Sequence, residues 1–290
     1  MTTKTKAILL LLTSSIGLLV TIGLLAGRDQ SLTRVQTAGR IKIGYAVEAP
    51  FVFLKPGGEV TGAEAEVAKV VVQRLGIQHI EWRLIEFGDL IPELEAGRID
   101  AIVAGMFITP DRAGHVSFSE PTFHVQQGLL VAAGNPHQLQ AYAQIATRPA
   151  IKIAVISGAI EGDLLKQLGV SPAQLVEVPD ALTGRMAVET GAVDGLALSA
   201  LTIRWLALQD QLGRTAMAQP FEQAAVAQQP YLGYGAVVFR PGDAQLQSAW
   251  NGVLKDLIGT PEHLSLIVPF GLSAADLPGA VTTQEILAQP

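Results

Sequence analysis

The sequence predicts an α/β fold of two similar lobes, and three observations predict it. From Ile41 onward, short apolar runs of strand character alternate with segments of helical periodicity, the pattern of a parallel sheet covered by helices. The same device of helix, glycine, aspartate and strand occurs twice, as Gly97-Arg98-Ile99-Asp100-Ala101 and as Gly191-Ala192-Val193-Asp194-Gly195. Finally, a late strand, Tyr234 to Arg240, and two helices follow the second set, so the chain is expected to return to the first lobe and leave two linking strands as a hinge.

The 290 residues suffice for two lobes that each bury a core. At the N-terminus, Lys4 and Lys6 precede an apolar run from Ala7 to Ala26, which reads as an export signal over residues 1–27. The small residues at its end form no good cleavage site, and the run is long enough to cross a bilayer. An uncut anchor is therefore the alternative to a cleaved leader, and either places the rest outside the cytoplasm. Residues 28–38 are polar, without clear pattern, and read as a linker. Acids outnumber bases, 26 to 20, with no basic block, which argues against nucleic acid as partner. The chain has no cysteine, which excludes disulfides, thiolate metal sites and a thiol nucleophile. Its five histidines lack metal-ligand spacing, so neither metal nor cofactor is expected.

The first lobe is expected over residues 39–130. Ile41 to Ala46 is a strand, left through Glu48-Ala49-Pro50-Phe51, and Pro56-Gly57-Gly58 marks a hairpin-like excursion. Val67, Val70, Val71 and Leu75 give a helix from Ala63 that Gly76 stops. A strand follows near Ile80 to Ile85, then a helix over Leu90 to Ala96, with Asp89 as its expected N-cap and Gly97 as its stop. Ile99 to Ala104 is a nearly continuous apolar run, a buried strand of a parallel sheet.

The second lobe is expected over residues 131–233, with Gly134-Asn135-Pro136 as the boundary after the strand Gly128 to Ala133. Ile151 to Ile156 is a strand, Ser157-Gly158-Ala159 a turn, and Glu161 to Leu168 a helix. Strand Val176 to Val178, helix Leu182 to Thr190 and strand Val193 to Leu198 complete the set. Residues 234–290 return to the first lobe, with helices at Asp243 to Ile258 and Pro261 to Val268.

Ligands of open α/β sheets bind where strands end, and the segment after Ala104 carries chemistry there. Gly105 permits close approach, Phe107 offers a ring, and Thr109-Pro110-Asp111-Arg112 turns the chain and delivers a guanidinium. Taken singly, each reads more readily as a turn residue, a core ring or a surface charge than as a ligand contact.

Together with Gly105-x-x-Ile-Thr-Pro-Asp-Arg112, the stretches Phe118-Ser-Glu-Pro121, Gly191-x-Val-Asp194 and Tyr234-Gly-Ala-Val-Val-Phe239 make Ile41 to about Pro278 resemble the family 3 periplasmic solute-binding proteins of ABC importers. The resemblance implies the type II periplasmic-binding-protein fold: two α/β lobes, a two-strand hinge and a ligand in the cleft. It implies an ABC permease in the inner membrane as partner, a monomer, and Arg112 as a clamp on a ligand carboxylate. Relatives that bind α-amino acids carry Ser or Thr at the position of Phe107 and Asp at that of Ser199.

Here Glu48 with Phe51, Phe87 and Phe107 suggests instead a cage for a delocalised cation, and so a small zwitterionic ligand. Tyr45-Ala-Val-Glu-Ala-Pro50, Phe87-Gly-Asp-Leu-Ile-Pro92, Pro269-Phe-Gly271 and Leu277-Pro-Gly279 resemble the ectoine and hydroxyectoine binders of the family. The turn that carries hydroxyls in many relatives is Ser157-Gly158-Ala159-Ile160, with one hydroxyl fewer. The alternatives are a polar amino acid receptor, with Glu48 as partner of the ammonium, and a dehydratase of cyclohexadienyl acids with Glu48 or Glu161 as general acid. No paired carboxylates are visible in the sequence to support the second, and no signalling domain accompanies a sensory role.

Overall fold

A computed structural model describes residues 29–223 and 232–288, so the apolar run of residues 7–26 and its leader or anchor reading lie outside the described residues. Among the described residues no helix is long and apolar enough to cross a membrane.

The chain builds two five-stranded sheets of matching design. In the first lobe β1 (Arg40–Tyr45), followed by a short hairpin of β2 (Phe53–Leu54) and β3 (Val60–Thr61), pairs in parallel with β4 (His79–Leu84) and β5 (Ala101–Ile102), and the sheet continues through β14 (Val238–Phe239) to β6 (Ser117–Phe118). In the second, β9 (Ile153–Ile156) pairs in parallel with β10 (Leu175–Val178) and β11 (Gly195–Ser199), and the sheet continues through β8 (Gln127–Ala132) to β12 (Thr215–Met217). The fourth strand of each sheet is antiparallel to its neighbours and arrives from the other lobe. A wholly parallel sheet was the expectation; the two crossings make both sheets mixed.

Between the sheets, β7 (Phe123–His124) and β13 (Tyr234–Gly235) pair antiparallel as the two-strand hinge. The His124 and Tyr234 rings stack there at 4.1 Å. The crossing into the second lobe thus precedes Gln127, ahead of the boundaries read at residue 131 and at Gly134-Asn135-Pro136. The apolar strand before that punctuation is buried against β11 and belongs to the second lobe.

The repeated aspartate device has one structural meaning in both lobes. Asp100 donates its N–H to the Lys42 carbonyl while its carboxylate accepts from the Lys42 N–H at 3.0 Å. Asp194 makes the same pair of bonds to Lys152, at 2.8 Å each. Each aspartate therefore pins the start of one strand to the next.

Helices close the cores: α1 (Ser31–Ala38), α2 (Ala63–Arg74) and α3 (Leu90–Glu95) in the first lobe, α4 (Pro110–Ala113) after its third strand, then α5 (Ala143–Ala146), α6 (Ile160–Gln167), α7 (Ala181–Glu189) and α8 (Ala200–Gln209) in the second. The returning α9 (Ala244–Leu257) and α10 (Pro261–Ile267) pack on α2, with Trp250 and Leu254 fully buried, and α11 (Thr283–Leu287) follows near the end.

Two local expectations are corrected. Residues 28–38 are not a linker: they contain α1, which buries Val35, receives the Leu246 N–H on Ser31 Oγ and ends at Gly39 in the left-handed region. Asp89 stands at the N-cap of α3 without capping it, because it already belongs to the turn Phe87–Asp89 and has helical dihedrals.

Candidate functional site

The strand ends of both sheets face a small cleft cavity of about 20 Å³, room for about one water. The first lobe lines it with Glu48, Phe87, Gly105, Phe107 and Arg112, the second with Ala159, Ile160, Glu161, Leu198 and Ser199.

Local structure explains each placement. Glu48 follows β1 in a tight turn in which it exchanges both backbone hydrogen bonds with Val52, at 2.8 and 3.0 Å. Thr109 caps α4 by accepting the Arg112 N–H, and Pro110 opens that helix, so the guanidinium is directed from a rigid single turn. Its Nη1 donates to the Phe107 carbonyl at 2.8 Å and its Nη2 crosses the cleft to the Gly158 carbonyl at 3.0 Å. The Phe87 ring lies 5.5 Å from the guanidinium carbon. Gly105, at φ +65°, allows the Phe51 ring to pack where a Cβ would come within 2.9 Å of it.

Ser199 caps α8 by accepting the Thr202 N–H. Its hydroxyl donates to Thr202 Oγ1 at 3.0 Å, and Thr202 donates to Glu48 Oε1 at 2.8 Å. A relay of hydroxyls from the second lobe therefore reaches the first lobe's acid. The lobes also meet backbone to backbone. Gly158, at φ +77°, approaches Gly88 so closely that a Cβ on it would lie 2.6 Å from the Gly88 Cα. Outside the cavity, Arg204 Nη2 donates to the Gly271 carbonyl at 2.6 Å, and Phe53 packs on Trp205 at 5.7 Å and on Phe270 at 6.1 Å.

Three titratable groups share this cavity. Burial lifts the Glu48 carboxyl to about 8, with nearby Glu161 adding to the rise and Thr202 and Arg112 opposing it. Burial likewise lifts Glu161 to about 7, against its own backbone N–H, Arg112 and the Gln127 side chain. Arg112 is lowered to about 10 by burial, opposed most strongly by Glu161. Near neutral pH such a site can present a guanidinium to an anion, an acid to a cation or an N–H donor, and two ring faces to apolar or delocalised groups.

Of the eleven residues singled out from the sequence, eight line the cavity. Phe51 does not: its ring is buried behind Gly105 and packs on Phe123 at 4.7 Å, so two rings, and not the expected three, line the cavity. Ser157 and Gly158 stand beside the cavity, the former with its hydroxyl on Glu177 and the latter as the carbonyl acceptor of Arg112. The structure adds Leu198 and Thr202, and it places Glu161, read from the sequence only as a general acid of the dehydratase alternative, in the cavity wall. It also brings two carboxyls, Glu48 and Glu161, to one cavity, where the sequence displayed no such set. The signal for Thr202 was its spacing of three from Ser199, the spacing of a helix cap.

Residues 41–266 match the sequence profile of the bacterial extracellular solute-binding proteins, family 3. The chain belongs to that family. Among its relatives is a probable amino-acid ABC transporter periplasmic-binding protein of Sinorhizobium fredii, 33% identical over 88% of this chain and 85% of its own. The L-arginine-binding protein of Pseudomonas aeruginosa is 23% identical over 82% of this family 3 protein and 90% of its own length. The crystal structure of EhuB in complex with hydroxyectoine superimposes with a TM-score of 0.82 at 31% identity, covering 90% of this chain and 99% of that one. An ancestral amino acid-binding protein described as a precursor of cyclohexadienyl dehydratase shares the fold, with a TM-score of 0.71 at 22% identity over 82% of this chain and 98% of its own.

Proposed function

We propose that this extracytoplasmic solute-binding protein of an ABC importer captures a small zwitterionic compatible solute, ectoine or hydroxyectoine, and delivers it to a permease. The observation that carries the reading is one enclosure in which a buried acid, Glu48, faces a buried guanidinium, Arg112, with the Phe87 and Phe107 rings in the wall. Arg112 has N–H groups beyond those given to Phe107 and Gly158, and they take the solute carboxylate. Glu48 accepts from the N–H groups of a cyclic amidinium, whose spread charge suits the ring faces. The likeness to the hydroxyectoine complex supports the same choice.

A cavity of about 20 Å³ is far smaller than such a solute, so capture requires the lobes to part about β7 and β13 and close again. Phe51 acts through its neighbours, holding Gly105 and the hinge residue Phe123, while Ser157 to Ile160 and Ser199 form the second lobe's side of the cleft. No chemistry on the solute is needed. Turnover of prephenate or arogenate by the purified protein would overturn this, since Glu48 and Glu161 are buried acids of the kind a dehydratase uses.

The test is thermal unfolding against ectoine, hydroxyectoine, glycine betaine, proline and the polar amino acids. A ligand at a thousand times its Kd adds about 4 kcal/mol to the native state, a clear shift in Tm. The expected outcome is a shift with the ectoines that Glu48→Gln and Phe107→Thr each diminish. A shift with amino acids alone makes the protein a polar amino acid receptor, as the name of the Sinorhizobium relative suggests. Unchanged ectoine binding in both variants removes the cage.

A further inference from the structure

Glu161 lines the same cavity as Glu48 and Arg112, is 2% exposed, and has no task in solute capture as described so far. It stands in the first turn of α6, directly after the turn Ser157–Ile160. That turn offers no hydroxyl to the cleft: the Ser157 hydroxyl is on Glu177, and Ala159 and Ile160 have none. Glu161 is thus the first polar side chain after the turn to line the cavity. Its surroundings are Arg112 from α4, Glu48 from beyond β1, the Gln127 amide from β8, and Tyr142 from before α5. Tyr142 remains neutral, its hydroxyl donated to the Gly128 carbonyl at 2.6 Å. The guanidinium hydrogen bonds of Arg112 run to carbonyls, not to Glu161.

We propose that Glu161 is a specificity-determining residue: as a neutral carboxylic acid it donates its O–H to the solute carboxylate that Arg112 holds, replacing the hydroxyl the preceding turn lacks. The inference rests on the reading that Arg112 takes a carboxylate, but not on which zwitterion carries it. An ionised Glu161 would repel that carboxylate, whereas the protonated acid makes a charge-assisted hydrogen bond to it. Burial already brings the protonated form within reach near neutrality. A solute carboxylate on Arg112 cancels the attraction that now favours ionised Glu161, so closure draws a proton onto it. Glu48 responds in the opposite sense, because a cation beside it favours its ionised form. The wild-type pH profile therefore contains two opposed trends, and a variant at 161 separates them.

The experiment is isothermal titration of the wild type, Glu161→Gln and Glu161→Ala with ectoine, hydroxyectoine and L-arginine at pH 6, 7.5 and 9. Linkage to one proton can change affinity by up to about tenfold per pH unit. The wild-type affinity relative to Glu161→Gln is expected to fall about tenfold or more from pH 6 to pH 9. Glutamine keeps an N–H donor, so Glu161→Gln should lie within a few-fold of wild type at pH 6 and above it at pH 9, while Glu161→Ala binds weakly throughout. A relative affinity that is flat or rises with pH overturns the proposal, as does a glutamine variant as weak as the alanine one. Proton uptake counted in buffers of different ionisation enthalpy needs no variant at 161: with Glu48→Gln removing the opposed release, absence of uptake is equally fatal. If no carboxylate probe binds the wild type, the zwitterion reading falls and takes this role with it; binding without the pH trend removes only the role of Glu161.

Discussion

The two lobes are built alike and equipped differently. Both have three parallel strands, a fourth from across the hinge, and an aspartate that ties the third strand to the first. Yet the first lobe contributes both cavity rings, the guanidinium and Glu48, while the second contributes a glycine turn, a capped helix with Thr202, and Glu161. Duplicated architecture sets where a cleft forms, and the residues at the strand ends decide what each side does. On the proposed reading the first lobe is the platform on which a solute settles, and the second the jaw that completes its hydrogen bonds.

The largest effect is expected where the jaw meets the platform. Gly158→Val adds a side chain against the Gly88 Cα and strains a backbone at φ +77°. Solute affinity should fall by about 2–3 kcal/mol, roughly 30- to 160-fold, if closure is blocked as strain and a steric clash require. Titration calorimetry measures the loss, and small-angle scattering with solute should find the lobes apart. Undiminished affinity would mean that the second lobe completes no part of the site.

A smaller effect compares the two aspartates. Asp100 also pairs with Arg34 at 3.2 Å and Arg240 at 3.4 Å, whereas Asp194 pairs only with His137, at 3.0 Å, among the described residues. Asp100→Ala should cost about 2 kcal/mol of stability and Asp194→Ala about 1, since the first leaves two half-buried or exposed arginines without this acid. Urea unfolding of both variants gives the difference; equal losses would mean that only the shared strand tie matters.

The smallest effect concerns the rim. Phe53→Ala removes the ring that joins the first lobe to Trp205 of the second. A loss of about 0.5–1.5 kcal/mol of closed-state stability, about two- to tenfold in affinity, is expected from one aromatic contact. The Trp205 fluorescence change on solute binding should shrink with it.

Much of the architecture was legible because apolar runs and glycine stops are local signals. Ala63, Gly97 and Ile153 lie within two residues of boundaries read from the sequence. The α1 helix was not legible, because what orders it is distant: Leu246 on Ser31, and Asp100 and Asp243 on Arg34. The lobe boundary was misplaced because turn residues mark where a strand ends, not which sheet it joins. In the site, Glu48, Phe107 and Arg112 were visible as strand-end residues within a family pattern. Thr202 and the pairing of Glu161 with Glu48 were not, since both depend on one lobe closing over the other.

The placement of α1 has a mechanical consequence. It packs beside Arg40, Gly97 and Asp100, at the N-terminal ends of the first lobe's strands, while the cleft opens at their C-terminal ends. Asp29 thus enters the described fold at the far pole of one lobe, where Arg34, Val35 and the Ser31 hydroxyl hold α1. A pull on the chain at Asp29 would enter the first sheet through these contacts without crossing β7 and β13. The second lobe meets the first through the hinge, the cavity and the rim, at residues that do not include α1.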